Sequence, residues 1–375
     1  MEQKRKSSGC PPVRAVERAC AILRCFRYEG EVLRLRDVTE RTSLSKSTAY
    51  RLLRSLQAGG LLQRVGEDSF SSLVHPIRES RPRIALASQT EESSFSRAVT
   101  MGVRRAAEQA GVDLICLDNQ YSIRAAIRNA QMLVRERVDL VLEFQTYSDA
   151  SSQVGAIFAA SRIPVIAIEI PMPGAIFFGV DNYEAGRLAG AHLGRWAAEN
   201  WNSRADGILL VGEPIAGPVP NSRLDGLVAS LRKCLEDPDS VPVTYLNGKG
   251  SLSQAYQAVR KFLRQQPPGR YLVAGINDPS AVGALRAFEE AGRGQDCAVI
   301  GFGGVREGFA ELRRKNSRFL ATVAFFPERY GDRLISLAMD LLGGKKLPPA
   351  IHVKHELLTR SNLHLLYPVD IDEIR

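Results

Sequence analysis

Apolar positions change their period at about Arg81. Before it they recur at helical spacing. Val16, Ala19, Ile22, Leu23 and Phe26 share one face of a helix predicted over 13–27, and Gly30 lies just past its end, where a helix is commonly stopped. A second short helix fits 35–41. After a turn at 42–44, Ser45 supplies an N-cap for a third helix that runs to Ala58 and is broken by Gly59-Gly60. The runs 62–65 and 69–71 flank Gly66-Glu67-Asp68 as the two arms of a hairpin. Three helices and a hairpin make a winged helix-turn-helix over 13–72, preceded by a disordered basic tail, 1–12. The segment 73–82, with Pro76, Pro82 and mixed charge, reads as a linker.

Beyond the linker the pattern becomes short apolar runs alternating with amphipathic stretches. Strands are predicted at 84–88, 113–117, 139–144, 164–169, 177–180, 207–212, 243–246, 271–276, 298–301 and 321–325. Helical patterns at 95–109, 125–135, 185–199, 222–235, 253–264 and 281–291 separate most of them. Such βα alternation implies parallel sheets covered on both faces. The fold class is therefore α/β, and the strand count suits two lobes, with a (β/α)₈ barrel as the rival arrangement.

Charge sharpens the division. The chain carries a net charge of +9, and residues 1–82 hold 16 Lys and Arg against 9 Asp and Glu, or +7. A basic module beside a nearly neutral one is what a polyanion reader joined to a sensor would show, and a solvated basic face would show it too. The six cysteines form no CxxC pair or Cys/His cluster, and Cys20, Cys116 and Cys297 sit in apolar runs, so they read as buried or incidental thiols in a reducing cytoplasm. The first twelve residues lack an apolar export segment, and no apolar run reaches membrane-spanning length, so a cytoplasmic, non-membrane protein is expected. Gly301-Phe302-Gly303-Gly304 lacks the Lys-Ser/Thr ending of a phosphate loop, and the five histidines have no zinc spacing. With no nucleophile elbow or cofactor loop either, the expectation is a non-enzyme without cofactor.

The third helix would place Lys46, Ser47, Thr48, Tyr50 and Arg51 in its first two turns, next to Ser45 at the cap, with Leu52, Leu53 and Leu56 facing inward. Short hydroxyls approach base edges closely and basic side chains reach phosphate, so these residues, with Arg64 in the wing, are the expected contacts to a double-stranded DNA operator. The run from Leu35 to Thr42, the Lys46-Ser47-Thr48 triplet, Arg51-Leu52-Leu53 and Gly60-Leu61-Leu62 resemble the DNA-binding domain of IclR-type transcription regulators. One such module is a weak reader, so a homodimer on two half-sites is expected.

After the linker the chain departs from that family. Over 83–367 it is similar to type I periplasmic sugar-binding proteins of the ribose-binding class and to the ligand domain of lac-repressor-type regulators. The similarity is carried by Ile163-Pro164-Val165-Ile166 before Glu169, Val180-Asp181-Asn182 with Gly186, Asn221-Ser222-Arg223-Leu224-Asp225-Gly226, Asn277-Asp278, Val299-Ile300-Gly301-Phe302 and Ala321-Thr322-Val323. The resemblance implies a first lobe of about 83–180 and 326–352, a second of about 181–325 and 353–367, and a small-molecule effector held between them. It places ligand contacts at Gln89, Ser93, Phe95, Ser96, Phe144, Glu169 and Ile170 from the first lobe, and at Arg223, Asn277, Gly303 and Phe325 from the second. Ribose-type pockets carry Asn, Arg, Asp and Gln where Phe144, Ile170, Gly303 and Phe325 stand. Plain ribose would leave hydroxyls unpaired here, at ~1–3 kcal/mol each, so a modified sugar or a partly apolar ligand fits better. The expected function is a transcription regulator whose operator binding a small ligand controls. A constitutive DNA-binding dimer with a degenerate cleft and an α/β enzyme are the alternatives.

Overall fold

The computed structural model describes residues 13–26, 31–74, 81–145 and 147–368. The chain divides into two compact units, Met1–Arg81 and Pro82–Arg375.

In the first unit α1 (Arg14–Cys25) is followed by β1 (Val32–Arg34), α2 (Leu35–Thr42), α3 (Lys46–Ala58), β2 (Leu62–Arg64) and β3 (Ser69–Ser72). Ile22, Phe26, Val38, Ala49, Leu53, Leu62 and Phe70 form its core. The Ser45 hydroxyl caps α3, accepting from the Thr48 N–H at 3.4 Å, as the sequence pattern predicts. One element was not predicted: β1 pairs antiparallel with β3, giving a sheet ordered β1-β3-β2. Three residues are too few to show a period of two. The tail 1–12, Arg27, Gly30 and linker positions 75–80 lie outside the described residues.

The second unit opens with β4 (Arg83–Ser88), α4 (Ser94–Gln109), β5 (Asp113–Asp118), α5 (Ile123–Arg135), β6 (Leu140–Phe144), α6 (Ser148–Ala160), β7 (Val165–Ile168) and β8 (Ile176–Val180). It continues with α7 (Asn182–Trp201), β9 (Gly207–Gly212), α8 (Pro218–Leu231), β10 (Val243–Asn247), α9 (Leu252–Leu263), β11 (Tyr271–Gly275), α10 (Asp278–Glu290), β12 (Cys297–Gly303), α11 (Arg306–Arg313) and β13 (Phe319–Ala324). The last elements are α12 (Tyr330–Leu342), β14 (Ala350–Val353), β15 (Glu356–Thr359) and α13 (Leu363–Leu366). They form two six-stranded sheets, ordered β14-β8-β7-β6-β4-β5 and β10-β9-β11-β12-β13-β15. Every pairing is parallel except β13 with β15. This is a two-lobed α/β fold and not a barrel.

Burial on both sheet faces follows from the alternation of side chains along each strand. In β4, Ile84 and Leu86 join one core while Ala85 and Ala87 join another. In β12, Ala298, Ile300 and Phe302 face one side, and Cys297 and Val299 the other. The chain passes between the lobes after β8, between β13 and α12, and between β14 and β15. Of the cysteines that read as buried or incidental, Cys297 is buried and Cys20 and Cys116 are half-buried.

Candidate functional site

On the first unit α3 presents Lys46, Ser47, Tyr50, Arg51 and Arg54 to solvent, with Thr48 half-buried, while Ala49, Leu53 and Leu56 are buried beneath them. The helix contains no acidic residue, and Lys46 and Arg51 pair with no acid among the described residues. Arg64 differs: its guanidinium folds onto its own turn, donating to the Gly66 carbonyl at 3.0 Å and to the Glu67 carbonyl.

On the second unit a cavity of about 300 Å³ lies between the two sheets, at the carboxyl ends of their strands. Gln89, Ser93 and Phe95 reach it from the segment after β4, Phe144 from the end of β6, and Glu169 and Ile170 from the segment after β7. Arg223, Asn277, Gly303 and Phe325 line the opposite side. Ser96, expected among the contacts, is not on the wall. It is fully buried, and its hydroxyl donates to Gln89 Oε1 at 3.0 Å. Helical rotation from Ser93 carries it inward, so it orients Gln89 instead of meeting a ligand.

Several wall residues are already committed. Ser93 caps α4, and Asn277 caps α10 while donating from Nδ2 to the Gly250 carbonyl at 2.9 Å. Arg223 is buried; its Nε donates to Asn182 Oδ1 at 2.8 Å and its Nη1 to the Ile276 carbonyl at 2.9 Å, with Nη2 also on Asn182. Its guanidinium carbon sits 5.0 Å from the Phe325 ring centroid and 5.7 Å from that of Phe302. Burial lowers its pKa, opposed by the nearby Glu169 charge. Glu169 adopts a left-handed backbone, φ +61°, and its carboxylate accepts from the Tyr330 hydroxyl at 2.5 Å. Burial raises its pKa, against the Arg223 charge and the Tyr330 hydrogen bond. The two residues influence each other without forming a direct ion pair.

The apolar part of the wall is an edge-to-face cluster. Phe95 lies 6.1 Å from Phe144, 6.3 Å from Phe325 and 5.8 Å from Tyr330, centroid to centroid. Gly303 has φ +117°, a backbone conformation that residues with a side chain rarely adopt. Across the cleft the Ser94 hydroxyl donates to Glu307 Oε2 at 2.7 Å, tying the lobes together.

Sequence reasoning missed Tyr121, Glu213 and Glu307 on the wall, and Asn182 and Tyr330, which hold Arg223 and Glu169. Glu213 directly follows β9, at the carboxyl end of a parallel strand. That position follows the same rule that singles out Gln89.

Two family models match the chain. One for the periplasmic binding protein domain matches residues 84–346, and one for the IclR helix-turn-helix domain matches residues 15–66. The ribose import binding protein RbsB of Salmonella typhimurium is 27% identical over 298 residues, which cover 78% of this chain and 96% of that protein. The HTH-type transcriptional repressor MelR of Bacillus subtilis is 30% identical over 154 residues, 40% of this chain and 41% of that protein. Among solved structures, an ABC transporter solute binding protein from Mycobacterium smegmatis with bound glycerol superposes with a TM-score of 0.68 at 22% identity, covering 77% of this chain and 98% of that one. One from Actinobacillus succinogenes with bound D-allose gives a TM-score of 0.65 at 19% identity, covering 75% and 98%. The chain belongs to the periplasmic binding protein domain family and carries an IclR-type helix-turn-helix ahead of that domain.

Proposed function

We propose that this protein is a transcription regulator whose binding to an operator is controlled by a small hydroxylated ligand taken up between the two lobes of its second unit. The observation that carries this reading is the pairing, in one chain, of an exposed basic recognition helix with a cleft of the periplasmic binding protein type. RbsB is named for ribose import, and the solute binding proteins hold glycerol or D-allose; that ligand chemistry is brought here as a class, not as an identity. The 13–72 segment reads DNA, and 83–367 binds the effector. Lobe closure would favour one arrangement of the protein over another, and the ligand shifts that balance only by its differential affinity for the two.

The test is a gel shift with the operator selected from random DNA. Lys46→Ala and Arg51→Ala should each weaken binding about tenfold, with unchanged thermal unfolding, because both side chains are exposed and pair with no acid among the described residues. Affinity of the unaltered protein should fall steeply with salt. Undiminished binding by both variants would move the DNA contact off α3.

We further propose a cytoplasmic homodimer. A palindromic operator needs a symmetric reader. The 82–375 fragment should sediment as a dimer at micromolar concentration. A monomer would place the interface in the first unit.

A further inference from the structure

The charges lining the cleft do not balance. Glu92, Glu169, Glu213 and Glu307 face one cation, Arg223. Arg223 is already occupied, its fork spent on the Asn182 amide and the Ile276 carbonyl and its face on Phe325. Glu169 has the Tyr330 hydroxyl, and Glu307 has Ser94 and an ion pair with Arg306. The Glu213 carboxyl receives no hydrogen bond among the described residues, although it is half-buried on the cavity wall and lies near Tyr121 and Tyr147, whose phenols are raised by burial first and by the Glu213 charge second.

From this we infer that the cleft takes a hydroxylated ligand bearing a protonated amino group, an amino sugar or aminocyclitol, with Glu213 as the carboxylate that receives the ammonium. The inference rests on the cleft being the ligand site proposed above. An ammonium would supply the partner that Glu213 lacks, as a charge-assisted hydrogen bond in a partly desolvated site. Phe95 and Phe144, on the facing side of the cleft, add electron-rich ring surface that also favours a cation, the Phe325 face being taken by Arg223. An acidic ligand would meet an excess of carboxylates. A neutral sugar would leave Glu213 without a counter-charge, and burial already pushes that carboxyl up to about 7, against the pull of Arg223. Phe144, Ile170, Gly303 and Phe325 offer the cavity no polar side chain, so hydroxyl recognition is weak at those positions, while acids stand on both sides of it, Glu92 and Glu169 on one and Glu213 and Glu307 on the other.

The experiment uses the full chain and matched ligand sets: glucosamine, glucose and glucuronate; galactosamine, galactose and galacturonate; myo-inositol and its amino counterpart. Stabilisation against heat screens the sets, since a ligand that binds the native state raises its melting temperature. Calorimetry then gives affinities. In at least one set the amine should bind about tenfold or more tighter than its neutral partner, the size of effect a charge-assisted contact gives. In Glu213→Gln that advantage should vanish, with the ligand-free melting temperature and circular dichroism reporting that the variant is folded. A neutral or acidic member that binds as well as the amine, or an amine preference that survives Glu213→Gln, overturns the inference and leaves the ligand-receptor reading intact. If no member of any set binds at millimolar concentration, the reading of the cleft as a receptor for hydroxylated ligands falls, and the inference with it.

Discussion

Arg223→Ala should be among the most damaging single substitutions in the second unit, lowering stability by about 3–5 kcal/mol, the usual cost of removing one partner from a buried charged network. The guanidinium spans from the Asn182 amide on α7 to the Ile276 carbonyl after β11 and lies against the Phe325 ring. Alanine would leave both oxygens without that donor in a buried site and would take the nearest positive charge from Glu169 and Glu213. Urea unfolding measures the loss. Ligand affinity should fall as well, because Phe325 and the Ile276 segment form one wall of the cavity. Arg223→Lys should recover little of either, since an ammonium cannot serve two acceptors and a ring face as a planar fork does. In the absence of ligand, the affinity of a still-folded Arg223→Ala protein for DNA should be unchanged, because no direct ion pair to Glu169 holds the lobes shut. Altered ligand-free DNA binding, with ligand binding intact, would make Arg223 a conformational latch instead.

What could be read before the structure, and what could not, divides along a physical line. The strands at the two lobe cores were legible because each is a run of apolar residues bounded by turn formers, as in Gly207–Gly212 and Tyr271–Gly275. The helix-turn-helix was legible because Ser45 and Gly59-Gly60 punctuate α3 at both ends. Placement of Gln89, Phe95, Glu169, Arg223 and Asn277 on one cavity came through the resemblance, since residues so far apart in sequence carry no local sign of meeting. The roles within the site were less legible. Ser96 turned inward because α4 begins at Ser94 and its rotation decides which hydroxyl faces the cleft. Arg223 proved to be a strut as much as a wall residue, a distinction set by Asn182, 41 positions away. Glu213 was overlooked because a lone acid in a loop has no signature of its own, although its place at the end of β9 could have marked it.

That strut depends in turn on how closely two helices approach, and Gly186→Ala tests it. A Cβ at Gly186 on α7 would lie 1.9 Å from the Arg223 carbonyl oxygen and 2.7 Å from its carbon, both backbone atoms of α8. Gly190 repeats the contact one turn on, 2.1 Å from the Leu227 oxygen, and Gly226 answers from α8, 2.2 Å from the Tyr183 oxygen. No side-chain rotation relieves such a clash, so the helices must separate, and overpacking of this kind costs about 3 kcal/mol. Separation would also draw the Arg223 guanidinium, carried by α8, away from Asn182 at the start of α7. Gly186→Ala should therefore lose both stability and ligand affinity. Gly194→Ala is the internal comparison: its Cβ would lie 2.6 Å from the Cys234 Cβ, 2.8 Å from its Sγ and 3.4 Å from Leu231, a milder clash than 1.9 Å against a backbone oxygen and one that the short segment after α8 must absorb, farther along α7 from the site. A clearly smaller shift in the urea midpoint is expected there, with ligand binding kept. Equal midpoints for both variants would show that the α7–α8 backbone contact does not set the geometry of the cleft.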